Sequence, residues 1–128
     1  MSRPEGGTTH GWDTVNDLVV EHVLRAVECV PPGRVVSYGA IGALVGVGPR
    51  QVGAVLREYG GGVTWWRVTN AYGDLTPELL RGARPHWAQE GILVKRNGRG
   101  CVLADHRVDE EAWSAAYRSA TADLPPCR

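Results

Sequence analysis

The chain has 128 residues, 43% of them apolar and 22% charged, values that fit one globular domain and exclude a disordered chain or two independent cores. No apolar run approaches the roughly eighteen residues of a membrane span, and the polar stretch Met1–His10 lacks the apolar region of a signal peptide and reads as a disordered leader. The three cysteines, Cys29, Cys101 and Cys127, are an odd number with no C-x-x-C spacing, which fits reduced thiols in a cytoplasmic protein better than a disulfide framework or a zinc site.

Asp13 or Thr14 caps a first predicted helix, in which Val15, Leu18, Val19, His22, Val23, Ala26 and Val27 recur at the helical period. Pro31-Pro32-Gly33 ends it. A short extended piece, Val35-Val36, leads to Ser37, a natural cap for a second helix over Tyr38–Leu44, which Gly46 and Gly48 break. Pro49 suits the first turn of a third helix running to about Tyr59. Two short helices around a glycine-containing turn are a helix-turn-helix pattern, although many helix pairs share it. Gly60-Gly61-Gly62 reads as a flexible break, and Val63–Thr69 as a strand or a tightly packed loop before a turn at Gly73-Asp74. Thr76-Pro77-Glu78 opens one short helical turn and Pro85–Glu90 forms another. Arg96-Asn97-Gly98 between Ile92–Val94 and Cys101–Leu103 is a hairpin signal, and a hairpin after a helix-turn-helix is the layout of a winged helix. Val108–Thr121 closes the chain as an amphipathic helix with Trp113, Ala116 and Tyr117 inward.

The third helix has the most informative faces. Val52, Val55, Leu56 and Tyr59 fall on one stripe and are expected to pack inward; Arg50, Gly53, Ala54 and Arg57 fall on the other. That second face is almost bare of side chain in its middle and has an arginine at each end. It would admit a narrow groove and offer cations to phosphates, or let another helix pack closely. Net charge is zero, yet ten of the 14 Lys and Arg lie between Arg34 and Arg107, with five of the 14 Asp and Glu. A middle of +5 between flanks of −5 suits phosphates, and a mixed solvated surface would have the same balance.

Four motifs carry a family resemblance. Val30-Pro31-Pro32-Gly33-Arg34-Val35-Val36-Ser37-Tyr38-Gly39-Ala40-Ile41 resembles the pattern I-P-x-G-x-V-x-[ST]-Y-G-x-I-A of the O6-alkylguanine-DNA alkyltransferases. Arg50-Gln51-Val52-Gly53-Ala54-Val55-Leu56 is similar to their recognition helix, A-R-x-V-G-x-A-[LM]. Thr64-Trp65-Trp66-Arg67-Val68 occupies the place of the active-site P-C-H-R-V, and Glu90-Gly91 matches the E-G after the following helix. The motifs keep the family's order over roughly residues 14 to 95.

The resemblance implies a winged helix-turn-helix DNA-binding domain of mixed α/β class, mainly α, over residues 13–107. A flexible leader (1–12) would precede it and a C-terminal helix and tail (108–128) would follow. In the family a cysteine thiolate takes the alkyl group and a histidine held by the glutamate removes its proton. Here Trp65 stands for the cysteine and Trp66 for the histidine; indole is no nucleophile and its N–H only donates, so Glu90 has no histidine to orient and no enzyme activity is expected. Tryptophan at the cysteine position marks the alkyltransferase-like branch, whose usual motif is P-W-H-R. This chain departs from it at Thr64 and Trp66.

By resemblance, the recognition helix enters the minor groove, Arg50 fills the space left by a flipped guanine and Tyr38 crowds the 3′ phosphate. Gly53, Ala54 and Arg57 complete the DNA face. Trp65, Trp66, Arg67, Arg81 and Arg84 form the lesion pocket, with Arg67 tying the loop to the body and Arg81 or Arg84 offering a cation–π contact. The Trp65-Trp66 pair could also be core filling, Trp66 more readily than Trp65. The expected partner is double-stranded DNA carrying O6-alkylguanine, with nucleotide excision repair proteins receiving the lesion. No cofactor, metal or membrane is called for, and the protein is expected to be a cytoplasmic monomer, nucleoid-associated when bound. The alternatives are a general DNA-binding or regulatory winged helix without lesion selectivity, and an enzyme using Cys101 or Cys127 as a displaced acceptor.

Overall fold

The computed structural model describes residues 11–127, with side chains from Asp17 onward; the leader over 1–10 and the side chain of Val15 lie outside the described residues. α1 (Gly11–Glu28) starts two residues before the expected cap at Asp13. Its stripe is buried at Val19, His22, Val23, Ala26 and Val27, as the period requires. β1 (Val36–Ser37) leads into α2 (Tyr38–Val45), where Ser37 Oγ accepts the Ala40 N–H at 3.0 Å, and α2 ends on Gly46 at φ +101°. That left-handed C-cap is cheap for glycine alone. α3 (Pro49–Tyr59) begins on its proline, and the chain turns by 101° between the two helices, within the range of a helix-turn-helix.

After α3 the Gly60–Gly62 segment is a 3-10 turn closed by Val63 N–H to Gly60 O at 3.1 Å, not a loose break; Gly60 is buried against Leu56. A second 3-10 turn, Trp65–Arg67, runs into β2 (Val68–Thr69). β2 pairs in parallel with β1, Val36 opposite Val68 and Ser37 opposite Thr69, so the start of α2 and the Trp65–Arg67 turn flank one two-stranded ribbon.

The two helical turns expected around Thr76 and Pro85 form one helix, α4 (Pro77–Glu90), with Pro85 inside it. A helix-interior proline costs about 3 kcal/mol through the lost N–H and the clash with the carbonyl four residues back. Leu80, Ala83 and Trp87 offset that cost: they recur at helical spacing and are buried, Trp87 completely, and burying the Trp and Leu together contributes about 5 kcal/mol or more. Pro85 itself is exposed, as is Arg81, whose carbonyl it leaves unbonded.

The hairpin is smaller than expected. Among the described residues it is a single antiparallel bridge, Val94 with Cys101, around a turn with Gly98 at φ +73°. Leu103 already belongs to α5 (Leu103–His106), a single turn. The arm stays short because Gly100 is pressed against the 70–74 turn: a Cβ there would sit 2.1 Å from Gly73 O, and Gly100 bridges Asp74. Lys95 forms an ion pair with Asp74 across the same junction.

α6 (Glu110–Ala120) is capped by Asp109, which accepts the N–H groups of Glu111 and Ala112. Trp113, Tyr117 and Thr121 are its buried face, and Ala116, expected inward, is exposed. The buried positions recur every four residues, which leaves 116 one step outside the stripe. α1 holds this segment: Trp113 Nε1 donates to Ala26 O at 2.9 Å. His22 lies 2.7 Å from Tyr117 Oη and 2.8 Å from Pro125 O. A carbonyl only accepts, so His22 Nε2 carries its proton to Pro125 and Nδ1 accepts from the tyrosine hydroxyl. Arg25 adds Ala120 O and Asp123.

Two cores result. One joins α1, α2, α3 and α6; the other gathers Val35, Leu75, Leu80, Ala83, Trp87, Ile92 and Cys101 around α4, with Tyr38, Trp65 and Trp66 against it. Among the described residues no single helix is long and apolar enough to cross a membrane. Replacing the exposed helix-interior proline, Pro85→Ala, should raise unfolding free energy by about 1–3 kcal/mol, read as a shift in urea midpoint. An unchanged or lower midpoint would mean that α4 depends on the proline for its path.

Candidate nucleic-acid interface

Trp65, Trp66 and Arg67 lie across one face of α4, and three α4 residues spaced four apart receive them. Gly82 lies under Trp65: a Cβ at 82 would stand 3.2 Å from Trp65 Cη2. His86 stacks on Trp66 with ring centroids 3.6 Å apart and planes 6° from parallel. Glu90 takes the Trp66 indole N–H at 2.9 Å and the Arg67 guanidinium at 2.6 Å. Trp65 meets both Trp66 and His86 edge-on, at 6.0 and 6.4 Å. Trp87 Nε1 donates to Trp66 O at 2.7 Å and fixes the turn from below.

Glu90 is the junction of this arrangement. Its Oε1 also accepts the Gly33 N–H at 3.0 Å, and Arg67 reaches on to Val30 O at 2.8 Å. The loop between α1 and β1, the 3-10 turn and the end of α4 therefore meet at one carboxylate. The side chains of Arg67 and Glu90 are 11% and 12% exposed, so the pair is largely desolvated. Burial alone would push the Glu90 carboxyl up, but the hydrogen bonds from Arg67, Gly33 and Trp66 outweigh it and hold the group below the usual carboxylate range. Glu90 has no histidine at 66 to orient, and it accepts the Trp66 indole N–H instead.

Thr64, where the family pattern has proline, has φ −80° and ψ 60°, and its buried hydroxyl finds no hydrogen-bond partner among the described residues.

On the other side of Trp65 is a cleft of about 490 Å³, bounded by α3 through Gly53, Leu56 and Arg57, by Tyr38, and by Thr76, Glu78 and Leu79 at the start of α4. A Cβ at Gly53 would meet nothing within 4 Å, so this glycine is not needed to let another helix pack. Ala54 faces a separate groove between α3 and α1, beside Val20 and Tyr59. Tyr59, expected inward, is 50% exposed along that groove because α3 ends there. Arg50 is exposed in the first turn of α3 and Arg57 in its last. Burial pushes the Tyr38 hydroxyl up, which keeps it a neutral donor.

Of the expected pocket residues, only Trp65 lines this cleft. Trp66 and Arg67 are directed to His86 and Glu90 instead, and Arg81 and Arg84 are exposed on α4 away from the lining. Their absence follows from the unbroken helix, which turns positions 81 and 84 off the face that 82, 86 and 90 present. The sequence reading missed Leu56, Thr76, Glu78 and Leu79 as lining residues, and Gly82 and His86 as supports. The 82-86-90 spacing was visible, but only a continuous helix makes it one face. Among the described residues no three His, Cys, Asp or Glu side chains gather as a metal site.

The thiols are poor nucleophiles. Cys101 belongs to the α4 core and is fully buried, and desolvation pushes its pKa to about 11. Burial also raises Cys29 and Cys127.

Comparison with known proteins gives two matches. Residues 19–99 match the family described as 6-O-methylguanine DNA methyltransferase, DNA binding domain. The fold is similar to that of the crystal structure of S. pombe Atl1 in complex with damaged DNA containing O6-carboxymethylguanine, with a TM-score of 0.62 at 25% identity over 71% of this chain and 94% of that one. No curated protein matches the sequence.

The depressed Glu90 pKa fixes a pH dependence. A carboxyl whose folded pKa lies below its unfolded value contributes stability above the unfolded value, about 4.5, and loses it as pH falls through the folded one. Glu90→Gln should therefore cost on the order of 3 kcal/mol at pH 7 and flatten the stability profile below about pH 5. Urea melts from pH 7 to 3 check this; a profile parallel to wild type would remove Glu90 from the acid transition.

Proposed function

Because the chain belongs to the 6-O-methylguanine DNA methyltransferase family through its DNA-binding domain, we propose that it is a non-enzymatic sensor that holds O6-alkylguanine from duplex DNA in the cleft beside Trp65. The observation that carries this reading is the cleft itself. It opens at the bare face of the recognition helix, at Gly53, and its inner wall is an indole where the family has its nucleophile. A π-face suits a base and an apolar wall suits an alkyl group. The volume is within the range of small-ligand pockets. The likeness to a relative crystallised on damaged DNA supports the same reading.

The base would reach the cleft by rotating out of the stack. Flipping costs a few kcal/mol, less for a poorly paired base such as O6-alkylguanine. Arg50 would fill the vacated space, Tyr38 would crowd the 3′ phosphate, and Arg57, at the cleft edge, would bind backbone. The protein would act as a cytoplasmic monomer, at the nucleoid when bound, and hand the lesion to nucleotide excision repair proteins. A displaced cysteine acceptor is disfavoured because Cys101, the one cysteine in the α4 core, is buried with its thiol protonated.

Incubation with O6-methylguanine duplex should leave every cysteine unmodified by intact mass, and Trp65→Cys alone should stay slow, since position 66 offers no base. Trp65→Cys with Trp66→His should transfer, because Glu90 already stands 2.9 Å from the ring nitrogen at 66. Methyl uptake by the wild-type chain would end the non-enzymatic reading. In polarisation titrations the wild type should favour the O6-methylguanine duplex over plain DNA; equal affinities would instead favour a general DNA-binding protein.

Two α3 variants test the flipping geometry. Gly53→Leu points into open space, so it should raise stability by about 0.5–1 kcal/mol yet weaken duplex binding by blocking the groove. Arg50→Ala should cost about 1–3 kcal/mol of affinity, mostly on lesion DNA, and abolish the rise of 2-aminopurine fluorescence beside the lesion. If Gly53→Leu binds normally, the bare face is not the DNA contact.

A further inference from the structure

We propose that Glu78 makes the cleft discriminate adducts by charge, admitting neutral O6-alkyl groups in preference to acidic ones. This rests on the reading of the cleft as the lesion site. Trp65, Leu56 and Leu79 give the cleft apolar walls, and among the described residues the charged ones that line it are Arg57 and Glu78. Glu78 stands in the first turn of α4 and is exposed, and among the described residues its carboxylate has no ion-pair partner. The N-terminal end of α4 offers it a partial positive charge of about half a unit and leaves a net negative charge.

Arg57 belongs to α3, the helix that faces the duplex, so a bound phosphate would take up its charge. Glu78 is on the opposite element and is then the one uncompensated charge at the cleft. A methyl or benzyl group meets Trp65 and the leucines without electrostatic penalty. A carboxymethyl group brings a second anion into the cleft that Glu78 lines, and like charges sharing one cleft repel. At an effective dielectric between that of protein surface and bulk water, the discrimination is roughly tenfold in Kd.

The test uses the full chain and one duplex carrying plain guanine, O6-methylguanine, O6-benzylguanine or O6-carboxymethylguanine, titrated at fixed ionic strength. The wild type should bind the carboxymethyl duplex roughly tenfold more weakly than the methyl one. Glu78→Gln should close that gap by strengthening the carboxymethyl complex more than the methyl, benzyl or plain one, so that the Kd ratio of carboxymethyl to methyl duplex falls to about one. Glu78→Lys should reverse the order, and thermal melts show whether each variant is folded. Equal wild-type affinity for methyl and carboxymethyl duplexes, or a gap that survives in folded Glu78→Gln and Glu78→Lys, overturns the charge filter while lesion binding stands. Equal affinity for methyl and plain duplexes would instead defeat the lesion reading, and the filter with it.

Discussion

The Glu90 carboxylate is the point on which the site's geometry depends. Three segments far apart in sequence meet at it: Gly33 in the loop after α1 and Trp66 and Arg67 in the 3-10 turn donate to the carboxylate, which the end of α4 supplies. Compared with an apolar pair of the same size, a desolvated arginine–glutamate pair adds little net stability, because the loss of hydration offsets much of the attraction. Its effect is geometric. An unpaired charge there would be costly, so the turn has one low-energy position, and that position presents Trp65 to the cleft.

This geometry explains how the site accommodates a tryptophan at position 66. Trp66 aims its N–H at Glu90 and offers a broad surface that His86 covers. Gly82 then admits the neighbouring indole, Trp65, against α4, where a larger residue would push it into the cleft. The supports belong to one helix, so site and fold share the same contacts.

The C-terminal helix is bound by a different logic. His22, Arg25 and the Ala26 carbonyl, within two turns of α1, hold Tyr117, Ala120, Asp123, Pro125 and Trp113. This closes the back of the α1–α3 core and leaves the outer face of α3 open. Of that face, Gly53 serves the cleft and Ala54 a separate groove.

Local rules were enough for much of this. Ser37, Gly46 and Pro49 state where α2 and α3 begin and end because capping and left-handed φ are decided within a few residues. The alkyltransferase motifs were legible for a similar reason: each is a short string whose backbone needs are met nearby. The length of α4 was not legible, since Pro85 is a local breaker and the burial of Leu80 and Trp87 that overrides it is tertiary. Reading α4 as two pieces hid the 82-86-90 face. The hairpin was misjudged likewise, because Gly100 packs on a turn some thirty residues earlier in the chain. Sequence alone determined which residues are present where a nucleophile and its base would be. Only the folded chain decided which of them face the cleft, because a side chain's direction is fixed by the packing of elements that are distant in sequence.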